Sequence, residues 1–204
     1  MKKINVAIIF YSATGTNYQL ANWALEAAKA NEACEVKLLK FAETAPEEAI
    51  AQNKDWVAHH QATKDLPHVH LDDLEWADAI VFSIPTRYGN LPSQVGAFLD
   101  TTGGLWASGK LADKIVTGMT SASNPHGGQE TTLQSLYKTM HHWGAIVIPP
   151  GYTDKILFDA GGNPYGTSVT AGKELGPATK EAVTHQVIRT IEFATWIQKG
   201  KNQG

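Results

Sequence analysis

Residues 6–25 read VAIIFYSATGTNYQLANWAL, and this stretch decides the fold. An apolar run with a strand's character ends at Phe10, and a helical pattern of apolar and small residues begins near Asn17. Between them Ser12, Ala13, Thr14, Gly15, Thr16 and Asn17 supply three hydroxyls, one glycine and no charge. A buried strand feeding a helix through a tight turn opens a βαβ unit, and such turns lie at the carboxyl edge of a parallel sheet.

The alternation continues outward from this unit. Strands are predicted at 4–10, 34–41, 78–85, 114–119 and 145–150, and helices at 17–30, 92–102, 128–142 and 178–199. Three of the strands are nearly continuous apolar runs, as strands covered on both faces must be. Five parallel strands in the order 2-1-3-4-5 with helices on both faces account for the pattern, an α/β doubly wound fold. Its crevice gathers three loops, 11–17, 85–92 and 119–129. The 204 residues, 43% of them hydrophobic, form a single domain over 1–204, with insertions near 43–70 and 149–177 read as long loops that carry function or meet a partner.

Composition removes several classes of function. Charged residues are 18% and the net charge is -3, so there is no broad basic field for nucleic acid. The opening MKKINVAIIFYS turns polar too soon for a signal peptide, and no later run approaches the ~18 apolar residues of a membrane span. The single cysteine, Cys34, permits no internal disulfide and suits the reducing cytoplasm; it reads as a small apolar residue at a strand start. The histidine pairs at 59–60 and 68–70 fall in polar, loop-like sequence without a metal-ligand motif, so no metal is expected.

The chemistry of the first loop follows from what it contains and lacks. Hydroxyls of Ser12, Thr14 and Thr16, with the amides opening a helix, suit an anion. Each such donor to a charged phosphate contributes about 1.5–3 kcal/mol, so several hold one phosphate without a cation. The lysine-bearing G-x-x-x-x-G-K-[ST] pattern of triphosphate sites is absent, as is the G-x-G-x-x-G of dinucleotide sites, which leaves a terminal monophosphate. The competing reading is an ordinary strand-helix turn capped by Thr16 or Asn17. The second loop, PTRYGN, presents Pro85, Thr86, Arg87, Tyr88, Gly89 and Asn90 to the edge of a flat heterocycle. The third, from Ser121, Ala122, Ser123 and Asn124 to Gly127 and Gly128, is pliant enough to follow a ring.

Taken in order, SATGTN, PTRYGN, FLDTTGGLWASGKL, HGGQET and GGNPYG resemble the WrbA family of flavodoxin-like, FMN-dependent NAD(P)H:quinone oxidoreductases across nearly the whole chain. The resemblance implies FMN phosphate on residues 12–17, the isoalloxazine on residues 85–90 and 121–128, and Trp106 at the nicotinamide and quinone pocket. Two departures stand out. Thr14 replaces a common aromatic, and HHWGA replaces an HHG segment whose histidine faces the flavin. With Gly144 aligned, Trp143 takes that histidine's place and His142 is the remaining candidate.

The resemblance further implies NADH or NADPH as donor, a quinone as acceptor and a homotetramer, or a dimer, closed by residues 149–177. Because FMN carries the electron transfer, no side-chain nucleophile is required, and Arg87 and His142 serve as tuning groups. Both substrates sharing one flavin face implies ping-pong kinetics. The second and third loops contain no Asp or Glu, while Arg87 and His126 favour a reduced anion and hence two-electron chemistry. A one-electron carrier and a non-catalytic FMN-binding module are the competing readings.

Overall fold

Residues 2–201 are described by the structure, a computed structural model. In chain order the elements are β1 (Ile4–Phe10), α1 (Thr16–Lys29), β2 (Cys34–Lys40), α2 (Glu47–Ala51), α3 (Lys54–Ala62), α4 (Leu71–Trp76), β3 (Ala79–Pro85), α5 (Ser93–Asp100), α6 (Gly103–Ala107), β4 (Ile115–Ala122), α7 (Gln129–Trp143), β5 (Ile146–Val147), α8 (Ile156–Asp159), β6 (Ser168–Thr170) and α9 (Pro177–Lys201). The sheet has the expected order β2-β1-β3-β4-β5, every pair parallel. Alternation along β1 explains why helices cover both faces. Val6, Ile8 and Phe10 pack with Leu20, Ala24, Val187 and Ile191 of α1 and α9, while Ala7 and Ile9 join the core containing Val95, Leu99, Leu133 and Met140 of α5 and α7.

Both insertions are more ordered than their sequences suggest. Residues 168–170 form a sixth strand, β6, paired to the carboxyl half of β4 as Thr120↔Ser168, Ser121↔Val169 and Ala122↔Thr170. β4 therefore runs to Ala122, past the expected end at 119, and β5 shrinks to two residues, because β6 takes the edge that β5 would have continued along. Gln186 of α9 fastens this addition: its Oε1 accepts from the Thr167 amide and hydroxyl at 2.8 Å, and its Nε2 donates to Thr117 and the Gly118 carbonyl at 2.8 Å.

The 43–70 insertion builds α2 and α3, so the loop reading of His59 and His60 is corrected to a helix. The polar sequence folds here because its two ends are anchored. The N-cap Asn53 side chain accepts from the amides of Asp55 and Trp56 at 3.0 and 3.2 Å. Lys40 at the end of β2 donates to the α3-terminal carbonyls of Thr63 and Lys64 at 2.6 and 3.3 Å, a cation on the negative end of a helix. Burial pushes the Lys40 amine below its ordinary value, with Asp65 working against it. Cys34 is buried as expected, and burial raises its thiol pKa.

Candidate cofactor site

At the carboxyl edge, Asn17 stitches the first loop to the sheet. Its side chain is 1% exposed. Asn17 Nδ2 donates to Ser83 Oγ of β3 at 3.3 Å, Ser83 Oγ donates to the Asn17 carbonyl at 2.8 Å, and Ser121 Oγ of β4 donates to Asn17 Oδ1 at 2.5 Å. These bonds fix the Asn17 and Ser121 side chains, both of which line the crevice. Neither Thr16 nor Asn17 caps α1. The cap is Gly15, whose φ of 97° turns the backbone without a side-chain partner. Ser12 Oγ accepts from the Gly15 amide at 3.0 Å and fixes the turn, while Ser12, Thr14 and Thr16 line the crevice.

The second loop is a two-residue hairpin. Arg87 and Asn90 exchange backbone hydrogen bonds at 2.9 Å in both directions, around Tyr88 and Gly89 at φ 52° and 77°. Positive φ at both central residues is the primed turn type, and it is strained at Tyr88, which has a Cβ. Tyr88 is fully exposed at the tip. Behind it Thr86 receives a hydrogen bond from Thr132 Oγ1 at 3.1 Å, and its amide bonds the Ser121 carbonyl at 2.7 Å, which ties the loop to β4 and α7. The third loop closes against the second, backbone to backbone. A Cβ on Gly128 would stand 2.7 Å from Gly89 Cα, so the approach requires glycine there, and φ at Gly128 is 88°. Asn124 Oδ1 accepts from the His126 amide at 2.9 Å, so this asparagine shapes its own loop.

A cavity of about 260 Å³ opens between these segments. It collects Ser12, Ala13, Thr14, Thr16 and Asn17 from the first loop, Pro85, Thr86 and Arg87 from the second, and Ser121, Ala122 and Ser123 from the third. Arg87 is its one charged lining group among the described residues. Gly15, Tyr88, Gly89, Asn90, Asn124, Gly127 and Gly128 shape the surrounding loops without lining it.

Asn53, Trp56 and Ala171, drawn from the two insertions, line the same cavity and were not anticipated. The available signal was NKDW, an N-cap followed by a tryptophan within otherwise polar sequence. Glu43, also unanticipated, sits behind this wall. Its carboxylate accepts from Tyr11 Oη at 3.0 Å, Trp56 Nε1 at 3.2 Å, Gln94 Nε2 at 2.5 Å and the amides of Thr44 and Ala45 at 2.9 Å. Burial alone raises its pKa, but the bonds from Ala45, Gln94, Tyr11 and Thr44 overturn that and hold it below the ordinary carboxylate value. The acid-free second and third loops thus have a carboxylate nearby, one spent on five donors.

Trp106 and His142 are not in this cavity. Trp106 Nε1 donates to the His142 carbonyl at 2.8 Å, where α6 and α7 end. Both helices end as the chain returns to the start of a strand, with Gly144 O accepting from the Asp113 amide and Ile146 paired to Ile115. The pair therefore lies at the amino edge, about 23 Å away along an eight-residue strand. His142 is solvent-exposed, and Trp143 is a 5% exposed core residue, so neither faces the cavity of its own chain.

A family model described as NADPH-dependent FMN reductase matches residues 4–154. The chain belongs to that family. It is 55% identical over 191 residues to the NAD(P)H dehydrogenase (quinone) of Deinococcus radiodurans, covering 93% of this chain and 95% of the relative. It is 38% identical to the protein of the same description from Aromatoleum aromaticum, covering 83% of each. Among solved structures, a flavodoxin, WrbA-like protein from Agrobacterium tumefaciens aligns with a TM-score of 0.67 at 21% identity, over 95% of this chain and 99% of that one, which supports the flavodoxin-like fold.

FMN is the cofactor of this family, and the residues present fit it. Uncharged hydroxyls and helix-opening amides match a phosphate monoester. The facing second and third loops, with Arg87 among the lining residues, match a flat ring that gains negative charge on reduction. Among the described residues no helix is long and apolar enough to cross a membrane, and no group of three or more His, Cys, Asp or Glu is placed to hold a metal ion.

Proposed function

We propose that this FMN reductase-family protein is an FMN-dependent NAD(P)H:quinone oxidoreductase. The observation that carries the reading is the cavity itself, three loops and α3 converging on a lining whose one charged group among the described residues is Arg87. FMN, when bound, supplies the capacity to take two electrons from a nicotinamide and return them to a quinone. The chain's own residues do the rest. Ser12, Thr14 and Thr16 with the amides that open α1 anchor the phosphate. Thr86 and the Gly89–Gly128 contact hold the second and third loops as a rigid edge for the ring. Arg87 places a cation where negative charge gathers, and its Nη1 bond to the Thr86 carbonyl at 3.1 Å steadies it there. One exposed ring face serves donor and acceptor in turn, so reciprocal plots at several quinone concentrations are parallel.

Trp106 and His142, about 23 Å from their own chain's cavity, meet nicotinamide or quinone only at the cavity of another copy. A homotetramer, or at least a dimer, is therefore part of the reading. The exposed Tyr88, Trp106 and the stacked pair Tyr152–Phe158, 4.9 Å between centroids, offer apolar surface for it. A cytoplasmic setting accords with the lone thiol, Cys34.

Anaerobic rapid mixing of the FMN-loaded protein with NADH or NADPH tests the function. Rapid bleaching of the flavin, reversed by a quinone, is expected. Bleaching that is slow beside quinone turnover in similar enzymes points to a one-electron carrier, and bound flavin that does not bleach points to a non-catalytic FMN-binding module; either refutes the proposal.

A further inference from the structure

Beside the phosphate loop, on its β2 side, lies a histidine that the cofactor reading does not use. His59 is carried by α3, whose first residues line the cofactor cavity. Its Nδ1 is 3.7 Å from the point a Cβ on Gly15 would occupy, so the ring packs on the turn that opens α1. It also packs against Tyr18 in the first turn of α1, 5.4 Å between ring centroids. Its Nε2 is buried and has no hydrogen-bond partner among the described residues. A buried imidazole nitrogen without a partner costs free energy, and the ring's other nitrogen, Nδ1, is the one that faces the turn suited to a dianion.

We propose that His59 couples cofactor uptake to a proton: the imidazole is neutral in the free protein and takes a proton from solvent as the phosphate monoester of FMN docks on residues 12–17. The inference rests on the first loop being the phosphate site. The balance is simple: one dianionic phosphate and one solvent proton enter, and an imidazolium facing a phosphate results. Burial disfavours the charged ring in the free protein, and His60 on α3 and Lys40 on β2 act in the same direction. His68, Glu43 and Tyr11 share the adjoining cavity of about 220 Å³ with His59 and Ser12, but Glu43 is engaged by five donors, Tyr11 among them, and none of these bonds involves the ring. Tyr18 is the group facing it from α1. A dianion within a few ångströms reverses the balance, since an opposite charge favours the ionised form. His59 is thus a positioning residue that completes the charge of a loop otherwise built from neutral donors.

The test is calorimetric titration of FMN into flavin-free full-length protein at about pH 7, in two buffers of different ionisation enthalpy, with affinities measured from about pH 6.5 to 9. His59→Gln, which keeps a polar side chain, is compared with the unsubstituted protein and with His60→Gln. Proton uptake on binding is expected to be larger in the unsubstituted protein and in His60→Gln than in His59→Gln. The affinity advantage over His59→Gln is expected to be about tenfold at the acid end, the factor for one pKa unit, and to vanish near pH 9. The phosphate's own ionisation near pH 6 is common to all three and cancels. Unchanged thermal midpoints and riboflavin affinities identify His59→Gln as folded. Equal proton uptake and a pH-independent affinity ratio overturn the role of His59 while leaving the phosphate loop standing. FMN binding no tighter than riboflavin in the unsubstituted protein overturns the loop reading and this proposal with it.

Discussion

Replacing Glu43 by Gln tests whether the 43–70 insertion is a working wall of the site. In the structure the carboxylate accepts three side-chain and two backbone hydrogen bonds, from Tyr11, Trp56, Gln94, Thr44 and Ala45. A carboxamide turns one acceptor oxygen into a donor, so whichever way it faces, an NH2 meets either Tyr11 and Trp56 or Gln94 and the amides of Thr44 and Ala45. Bonds to a charged group contribute about 1.5–3 kcal/mol each. Losing two of them, the smaller loss, at a half-buried site, discounted for solvent screening, costs about 2–3 kcal/mol. For a domain of this size that lowers Tm by about 4–12 °C. The pH dependence has a definite sign. The folded-state pKa is depressed, so the stabilisation is full above the unfolded value of about 4.3 and is lost as pH falls through the folded value. Thermal unfolding from about pH 3 to 7 should show this acid limb in the unsubstituted protein and a reduced one in Glu43→Gln. FMN affinity should fall with it, because Tyr11 adjoins Ser12 and Trp56 lines the cavity. A Tm within about 1 °C of the parent at pH 7, with unchanged FMN affinity, refutes the reasoning.

Gly128→Ala forces a Cβ into Gly89 at a positive φ, costs about 1–2 kcal/mol in backbone strain alone, and is expected to weaken FMN binding about tenfold by fluorescence titration. Trp143→Ala should cost about 3–5 kcal/mol in urea unfolding, as a core truncation does, while the FMN affinity of the folded fraction stays within about twofold. Arg87→Ala should raise the one-electron-reduced share of flavin during photoreduction; an unchanged share removes Arg87 from the tuning role. Sedimentation at micromolar concentration should give a dimer or tetramer, and a monomer contradicts the assignment of Trp106 and His142 to another copy's cavity.

The sheet order and the three converging loops were legible because both rest on local signals: continuous apolar runs in β1 and β3, and turn chemistry in SATGTN and PTRYGN. The insertions were not. α3 carries little apolar periodicity and is held by Lys40 at one end and the Trp56–Glu43 bond at the other, contacts between residues distant in sequence. β6 is three residues long and exists only because β4 offers it an edge. The three loops line one cavity, but the hydrogen bonds that tie the Asn17 and Ser121 side chains across three strands leave no trace in a local motif. Trp106 and His142 illustrate the opposite limit. Their motifs point both residues at the flavin pocket, whereas the fold sets them at the opposite edge of the sheet, joined by a 2.8 Å hydrogen bond.

Comparing FMN with riboflavin by calorimetric titration into the flavin-free protein bears most directly on the central claim that neutral hydroxyls and helix-opening amides at residues 12–17 capture a phosphate monoester. FMN is expected to bind at least about a hundredfold more tightly, a difference of about 2.8 kcal/mol. Equal affinities for the two flavins would contradict it.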